Sequence, residues 1–266
     1  MTARAAVVVV GGGVVAAAAA YQLARRGAGV TVVEGDQRGI ATNAGAGIIC
    51  PWAEPVDDPW YQLCCAGAWH YRELLAMLAE DGQADTGYAR VGALCVTGQA
   101  GNLPGLAALL ESRRATAPGM GEVTALAPGG PARMFPPLAP GLAGLWISGA
   151  ARVGGRIVAG ATREEAGFQY SATVAGVGGL LAGAIDLAPG LGAAELLETR
   201  IGFRPATSDG WPVLGALADG LFVAAGHGAE GLTAGPVSGL AVAQLVLGQE
   251  PAVGLAPFSL YRFQPG

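Results

Sequence analysis

Gly11, Gly13 and Ala16 stand at G-x-G-x-x-A spacing, and a lone carboxylate, Glu34, follows about 20 residues later. Together these residue types can hold two phosphates and a ribose. Gly11 lets the chain leave a strand in a tight turn. Gly13 lets the backbone approach a pyrophosphate seated on a helix N-terminus, where the N–H groups of Val14, Val15 and Ala16 and the helix dipole favour anions. Ala16 fills the small position at which helix and strand pack closely. Glu34 can accept hydrogen bonds from a ribose 2′-OH and disfavours a 2′-phosphate, so FAD or NAD fits better than NADP.

The elements needed to position these groups are written around them. Ala6–Val10 is a β-branched run, the segment from Val14 to Arg26 is Ala-rich and helical in character, and Val30–Glu34 is a second β-branched run ending in the acid. The stretch between Arg4 and Arg25 carries no charge and has the length of a bilayer span or a signal peptide. Three consecutive glycines inside it and the change from valine to alanine favour strand, turn and helix, and both elements are expected to be buried in a parallel sheet. Small and polar residues in the loop Gly35–Gly47, with Thr42, Asn43, Ala44, Gly45 and Gly47, suit a backbone lying against a ligand.

Further along, apolar residues recur at helical spacing from Trp60 to Glu80, with Gly82 as a stop, and His70 reads as ordinary helix packing. The pattern predicts strands at Val91–Val96, Leu145–Ile147, Ile157–Thr162, Leu196–Arg204 and Leu221–Ala225. It predicts helices at Leu106–Arg114, Thr173–Ile185 and Leu232–Leu247, and an irregular Pro/Gly-rich run from Pro118 to Pro140. The alternation is that of an α/β fold.

Composition narrows the functions. The chain has 266 residues, is 52% hydrophobic and has a net charge of −5. All 15 basic residues are arginine, which excludes a nucleic-acid footprint and any chemistry that needs a lysine, such as a Schiff base. Cys50, Cys64, Cys65 and Cys95 have neither metal-ligand nor CxxC spacing, so no metal is expected and the thiols suit a reducing cytoplasm.

A second constellation lies near the C-terminus. It runs Gly202-Phe203-Arg204-Pro205 to Ser208-Asp209-Gly210-Trp211-Pro212, and then Gly226-His227-Gly228-Ala229-Glu230-Gly231-Leu232-Thr233. With the N-terminal unit, Asn43-Ala44-Gly45 and Gly160-Ala161-Thr162-Arg163-Glu164-Glu165, it resembles the FAD-dependent D-amino acid oxidase-like family, which includes glycine oxidase, D-amino acid dehydrogenase and sarcosine oxidase. The resemblance covers roughly residues 5–100 and 156–263.

The resemblance implies a Rossmann-like FAD-binding domain made of residues 1–50, 145–153 and 216–250. A smaller mixed-sheet substrate domain would take 51–144 and 154–215. It further implies that Arg204 holds a substrate carboxylate, in line with the planar fork of a guanidinium; the plainer readings are an ion pair with Asp209 or an exposed loop arginine. The Gly226–Thr233 turn would lie beside the flavin, with the following helix aimed at it, and His227 would shape or hydrogen-bond that turn rather than act as a base. The implied reaction is hydride transfer from a small amino acid, glycine or a secondary amine to flavin N5, giving an imine, with oxygen or a quinone carrier as electron acceptor.

Two substitutions and one absence depart from the family pattern. Phe203 stands where monomeric sarcosine oxidases carry a flavin-linking cysteine, so the FAD is expected to be non-covalent. Ala229 stands where glycine oxidases have arginine. Arg152-Val153-Gly154-Gly155-Arg156 joins two regions that relatives separate by a long central stretch, a loss expected to leave apolar surface uncovered and strand edges unpaired. A shortened homologue without turnover therefore stands beside the enzyme reading, and a nicotinamide dehydrogenase is disfavoured by the absence of a second fingerprint.

Overall fold

A computed structural model of the chain describes residues 6–98 and 103–264; residues 1–5, at the head of the expected nucleotide-binding segment, lie outside it. In chain order the elements are β1 (Ala6–Val10), α1 (Val14–Arg25), β2 (Gly29–Val33), α2 (Ala41–Ala44), β3 (Ile48–Ile49), α3 (Pro59–Glu80), β4 (Tyr88–Arg90), β5 (Ala93–Thr97) and α4 (Leu103–Ser112). They continue with β6 (Val123–Leu126), α5 (Gly130–Met134), β7 (Ala143–Ile147), β8 (Ala151–Val153), α6 (Val174–Leu187), β9 (Val213–Ala218), β10 (Leu221–Ala225) and α7 (Gly231–Val246). The chain forms two compact units, one of residues up to 45, 56–84 and from 202 onward, the other of 46–55 and 85–201. These limits differ from those expected: 56–84 and 202–215 join the nucleotide-binding fold, whereas 46–50 and 145–153 fall in the second unit.

In the first unit β1 and β2 pair in parallel, Ala6 opposite Gly29 through Val10 opposite Val33, with α1 as the crossover. Gly11 continues the ladder by donating its N–H to the Val33 carbonyl at 2.8 Å, and then turns away at φ +110°, a conformation that excludes residues with a Cβ. α3 starts where Asp58 accepts from the Tyr61 N–H at 2.7 Å, with Pro59 at the first helical position, and ends before Gly82 at φ +82°. β9 and β10 form an antiparallel hairpin across Asp219-Gly220.

α7 is the axis of this unit, buried from Thr233 to Ala243. A Cβ on Gly239 would stand 2.7 Å from Ala18 Cβ and from the Ala19 nitrogen, so α1 and α7 cross with their backbones close together. On the other side a Cβ on Gly67 of α3 would run into the Thr233 backbone. Leu63, Cys64, Leu214, Ala234, Val237 and Phe258 close the core between α3, β9 and α7.

The other unit contains two three-stranded sheets, ordered β3-β8-β4 and β5-β7-β6, with antiparallel pairing throughout rather than the mixed pairing expected. Leu138, Leu142 and Ala188 form one of its buried apolar clusters. Arg113, 5% exposed, donates to the carbonyls of Trp52 and Glu54 at 2.6 Å each and ties the 51–54 turn to the end of α4.

Several elements differ from the sequence expectation. Residues 157–162 and 196–204 form no strand, and Ile157, Leu196 and Leu197 are exposed. A strand needs a neighbour to satisfy its backbone, and neither segment has one among the described residues. Conversely, β6 forms inside the Pro/Gly-rich run because β7 offers it an edge, and β9 forms as the partner of β10. No disulfide joins the four cysteines. Among the described residues, no helix is long and apolar enough to cross a membrane.

Candidate functional site

The glycine turn, Glu34 and the loop that follows border an open, shallow pocket of about 500 Å³, lined by Gly12, Glu34, Gly35, Asp36, Gln37, Ile40 and Asn43. The Glu34 carboxylate lies across Gly12, where it occupies the space a Cβ would need. Gly13 caps α1 in an extended conformation and offers no side chain to its free N–H groups. One of these groups is already satisfied: the Val14 N–H donates to Thr42 Oγ1 at 3.1 Å, which holds the 41–44 turn against the head of α1. The Ala16 Cβ sits 3.8 Å from where a Gly11 Cβ would be, at ordinary van der Waals contact.

A second cluster surrounds the head of α7. Val14 and Val15 pack on Gly235, so the N-terminal ends of α1 and α7 meet side by side and place two positive dipole ends in one region. Gly45, just beyond Asn43 and Ala44, lies against the Leu232 side chain. Gly202 lies against Ala44, and the Phe203 N–H donates to the Gly39 carbonyl at 2.9 Å, which lays the segment before Arg204 along the 39–45 loop. The Gly228 N–H donates to the Pro205 carbonyl at 3.0 Å, and the Glu230 N–H to the His227 carbonyl at 3.0 Å. The first unit thus gathers the expected residues Gly11, Gly13, Val14, Val15, Ala16, Glu34, Thr42, Asn43, Ala44, Gly45, Arg204, Gly226, His227, Gly228, Glu230, Gly231, Leu232 and Thr233. Gly47 belongs to the other unit, where φ +79° and the neighbouring Val153 carbonyl give it a structural reason to be glycine.

The charged and titratable groups sort themselves clearly. Asp209 is held by Arg262, at 2.6 and 3.1 Å, and by the Trp211 N–H and Thr207 hydroxyl, which keep its carboxyl well below the usual range. Arg262, and not Arg204, is therefore the ion-pair partner of Asp209. Arg204 is exposed. His227 is 2% exposed, its Nε2 lies 2.9 Å from Ser238 Oγ, and burial lowers its pKa to about 4, so the ring is neutral at neutral pH. Burial also lowers His70, whose Nδ1 is 3.5 Å from Glu73, and raises the Cys64 thiol. Thr233, 1% exposed in the first turn of α7, has a buried hydroxyl with no hydrogen-bond partner among the described residues.

Gly12, Gly35, Asp36, Gln37 and Ile40 line the pocket without having been singled out in the sequence. Gly12 belongs to the glycine turn and the other four to the 35–47 loop, whose path after β2 no local pattern encodes. Tyr71 is a further residue of this kind: its hydroxyl reaches from α3 to the Leu232 carbonyl at 2.7 Å.

An N-terminal βαβ unit ending in an acid, with a second helix aimed beside the first, is the arrangement of a dinucleotide-dependent oxidoreductase. The family described as DAO, FAD dependent oxidoreductase, matches residues 6–154 and again 149–245, and the chain belongs to it. It is 32% identical over 349 aligned positions to the uncharacterized oxidoreductase YurR of Bacillus subtilis, covering 90% of this chain and 94% of that one. Glycine oxidase of Geobacillus kaustophilus is 44% identical over 111 residues, 41% of this chain and 29% of that enzyme. The structure of iminodiacetate oxidase from Chelativorans sp. BNC1 superposes with a TM-score of 0.89 at 30% identity, covering 95% of this chain and 98% of that one.

FAD is accordingly the cofactor, and this chain is an FAD-dependent oxidoreductase of the DAO family. The residues present fit the group: Gly12 leaves room that Glu34 fills, Gly13 puts no side chain over the α1 N-terminus, where Thr42 takes the Val14 N–H alone, and Thr233 keeps an unused buried hydroxyl at the head of α7. The alignment with the Bacillus relative is longer than the 266 residues of this chain, so that relative carries residues without counterpart here. The two stretches of family similarity meet at 149–154, the junction at which the sequence indicates internal shortening. In keeping with that shortening, Val8 and Val10 on one face of β1 are 64% and 82% exposed.

Proposed function

We propose that the chain oxidises a small amino acid, glycine or a secondary amine to its imine, with FAD held non-covalently. The observation that carries this reading is the convergence of the 39–45 loop, the segment leading into Arg204 and the head of α7 within one unit. FAD, when bound, supplies the acceptor for the substrate hydride. The protein's own part is positional and electrostatic. Glu34 accepts from the adenosine ribose, the α1 N-terminus neutralises the pyrophosphate, and the α7 N-terminus stabilises negative charge on the reduced ring. Arg204 clamps the substrate carboxylate through its two parallel N–H donors. His227, neutral and bonded to Ser238, shapes the turn and takes no proton. Phe203, packed on Gly39, stands where a covalent flavin link would need a cysteine. The cysteines, without disulfides, suit the cytoplasm.

The substrate class rests on relatives named for oxidising glycine and iminodiacetate, both small carboxylated amines. Anaerobic addition of glycine, D-alanine, D-proline, sarcosine and iminodiacetate to the FAD-loaded protein tests it, because bleaching of the flavin by one of them is the expected result. Bound flavin that none of them bleaches would favour the second reading, a shortened homologue that has kept nucleotide binding and lost turnover. The exposed valines of β1 are the observation behind that alternative.

A further inference from the structure

Ser238 lies in the middle of α7, 0% exposed, about two turns below the head of the helix. Its hydroxyl donates to the Ala234 carbonyl at 2.9 Å and stands 2.9 Å from Nε2 of His227. A serine hydroxyl has one proton and a carbonyl can only accept, so with that proton committed to Ala234 the oxygen meets His227 as an acceptor. Nε2 must then carry the imidazole hydrogen. The edge of Trp60, with ring centroids 6.1 Å apart and planes at 65°, closes the other side of the ring. His227 is the central residue of the Gly226-His227-Gly228 turn, where Gly226 and Gly228 take φ +84° and +54°. Glycines at both flanks leave that backbone little stiffness of its own.

We propose that Ser238 is a positioning residue for the flavin-facing turn: by accepting from Nε2 of His227 it fixes the tautomer and orientation of the ring, and through the ring the path of residues 226–231 into α7. Ser238 touches neither cofactor nor substrate. The proposal rests on the reading of this turn as flavin-facing, and its test separates the two.

The chain holds two histidines, His70 and His227, so ¹⁵N-histidine NMR resolves them, with His70→Gln giving the assignment. In the wild type, His227 should appear as the neutral Nε2–H tautomer. In Ser238→Ala it should become a tautomer mixture, with a shifted flavin visible band and FAD binding weakened about tenfold, the scale of one lost hydrogen bond. Ser238→Thr, which keeps the hydroxyl, should restore all three. An Nδ1–H tautomer in the wild type would overturn the proposal. So would a Ser238→Ala variant whose tautomer, flavin band and FAD affinity match the wild type. If Ser238→Ala shifts the tautomer but leaves the flavin untouched, the pairing stands and the flavin-facing reading of the turn fails.

Discussion

The Tyr71 hydroxyl donates to the Leu232 carbonyl at 2.7 Å, across the contact between α3 and the first turn of α7. Pro236 stands four residues beyond Leu232 inside the helix and has no N–H, so this carbonyl lacks its helical donor. The tyrosine supplies the missing bond and secures the first turn of α7.

Tyr71→Phe should therefore lower stability by about 1 kcal/mol, the scale of one hydrogen bond lost at a part-buried carbonyl. Pro236→Ala restores an N–H to the helix, and in that background Tyr71→Phe should cost much less. A double-mutant cycle in urea measures the coupling, and strictly additive effects would show that the two residues do not share the Leu232 carbonyl.

Gly239→Val should overpack the crossing of α1 and α7, where even a Cβ meets Ala18 and the Ala19 nitrogen at 2.7 Å. A loss of about 1–3 kcal/mol or more is expected, readable as a lower urea midpoint. A midpoint equal to that of the wild type would mean that the helices can move apart freely.

Acid should weaken the fold through its buried histidines. His227 has a folded pKa lowered from 6.5 to about 4 by burial, and burial lowers His70 as well. Below 6.5 the unfolded chain binds protons that the folded chain refuses. The stabilisation is thus fully present above 6.5 and is lost as the pH falls toward 4, by about 3 kcal/mol from His227. Urea midpoints measured across this window should decline in the wild type and decline less in His227→Asn; identical slopes would refute the assignment.

Arg204→Ala should weaken binding of carboxylated amines by about tenfold to a hundredfold, the range for losing a charge-assisted hydrogen-bond pair, with little effect on FAD. Titration of the FAD-loaded variant with glycine and with an uncharged amine reads the difference. Equal losses for FAD and for carboxylate ligands would remove Arg204 from the substrate site.

What the sequence makes legible is what is local. β1, α1 and β2 follow from β-branched and alanine runs around the glycines, α3 from Asp58, Pro59 and Gly82, and α7 from its apolar run up to Gly248. Residues 157–162 and 196–204 carry the composition of strands, yet a strand exists only with a partner, and Ile157 and Leu197, 66% and 60% exposed, have none to pack on. The shortening at 149–154 explains why the local pattern outlives the sheet it would need. The hairpin of β9 and β10 has its turn signal in Asp219-Gly220 between two apolar runs, although the pattern predicts only its second strand. At the site, spacing reveals Gly11, Gly13 and Glu34. The hydrogen bonds of Tyr71 to Leu232 and of Ser238 with His227 depend on how α3 and α7 pack and on which way the turn folds back, and no spacing encodes that.

The central claim is that this shortened chain still holds FAD at the head of α1, with Glu34 on the ribose. Titrating the flavin-free protein with FAD, followed by quenching of flavin fluorescence, tests it most directly, with Glu34→Ala alongside. Saturable binding with one FAD per chain, weakened about tenfold to a hundredfold in Glu34→Ala, is the predicted result. Fluorescence that falls without saturation, or binding indifferent to Glu34, would contradict it.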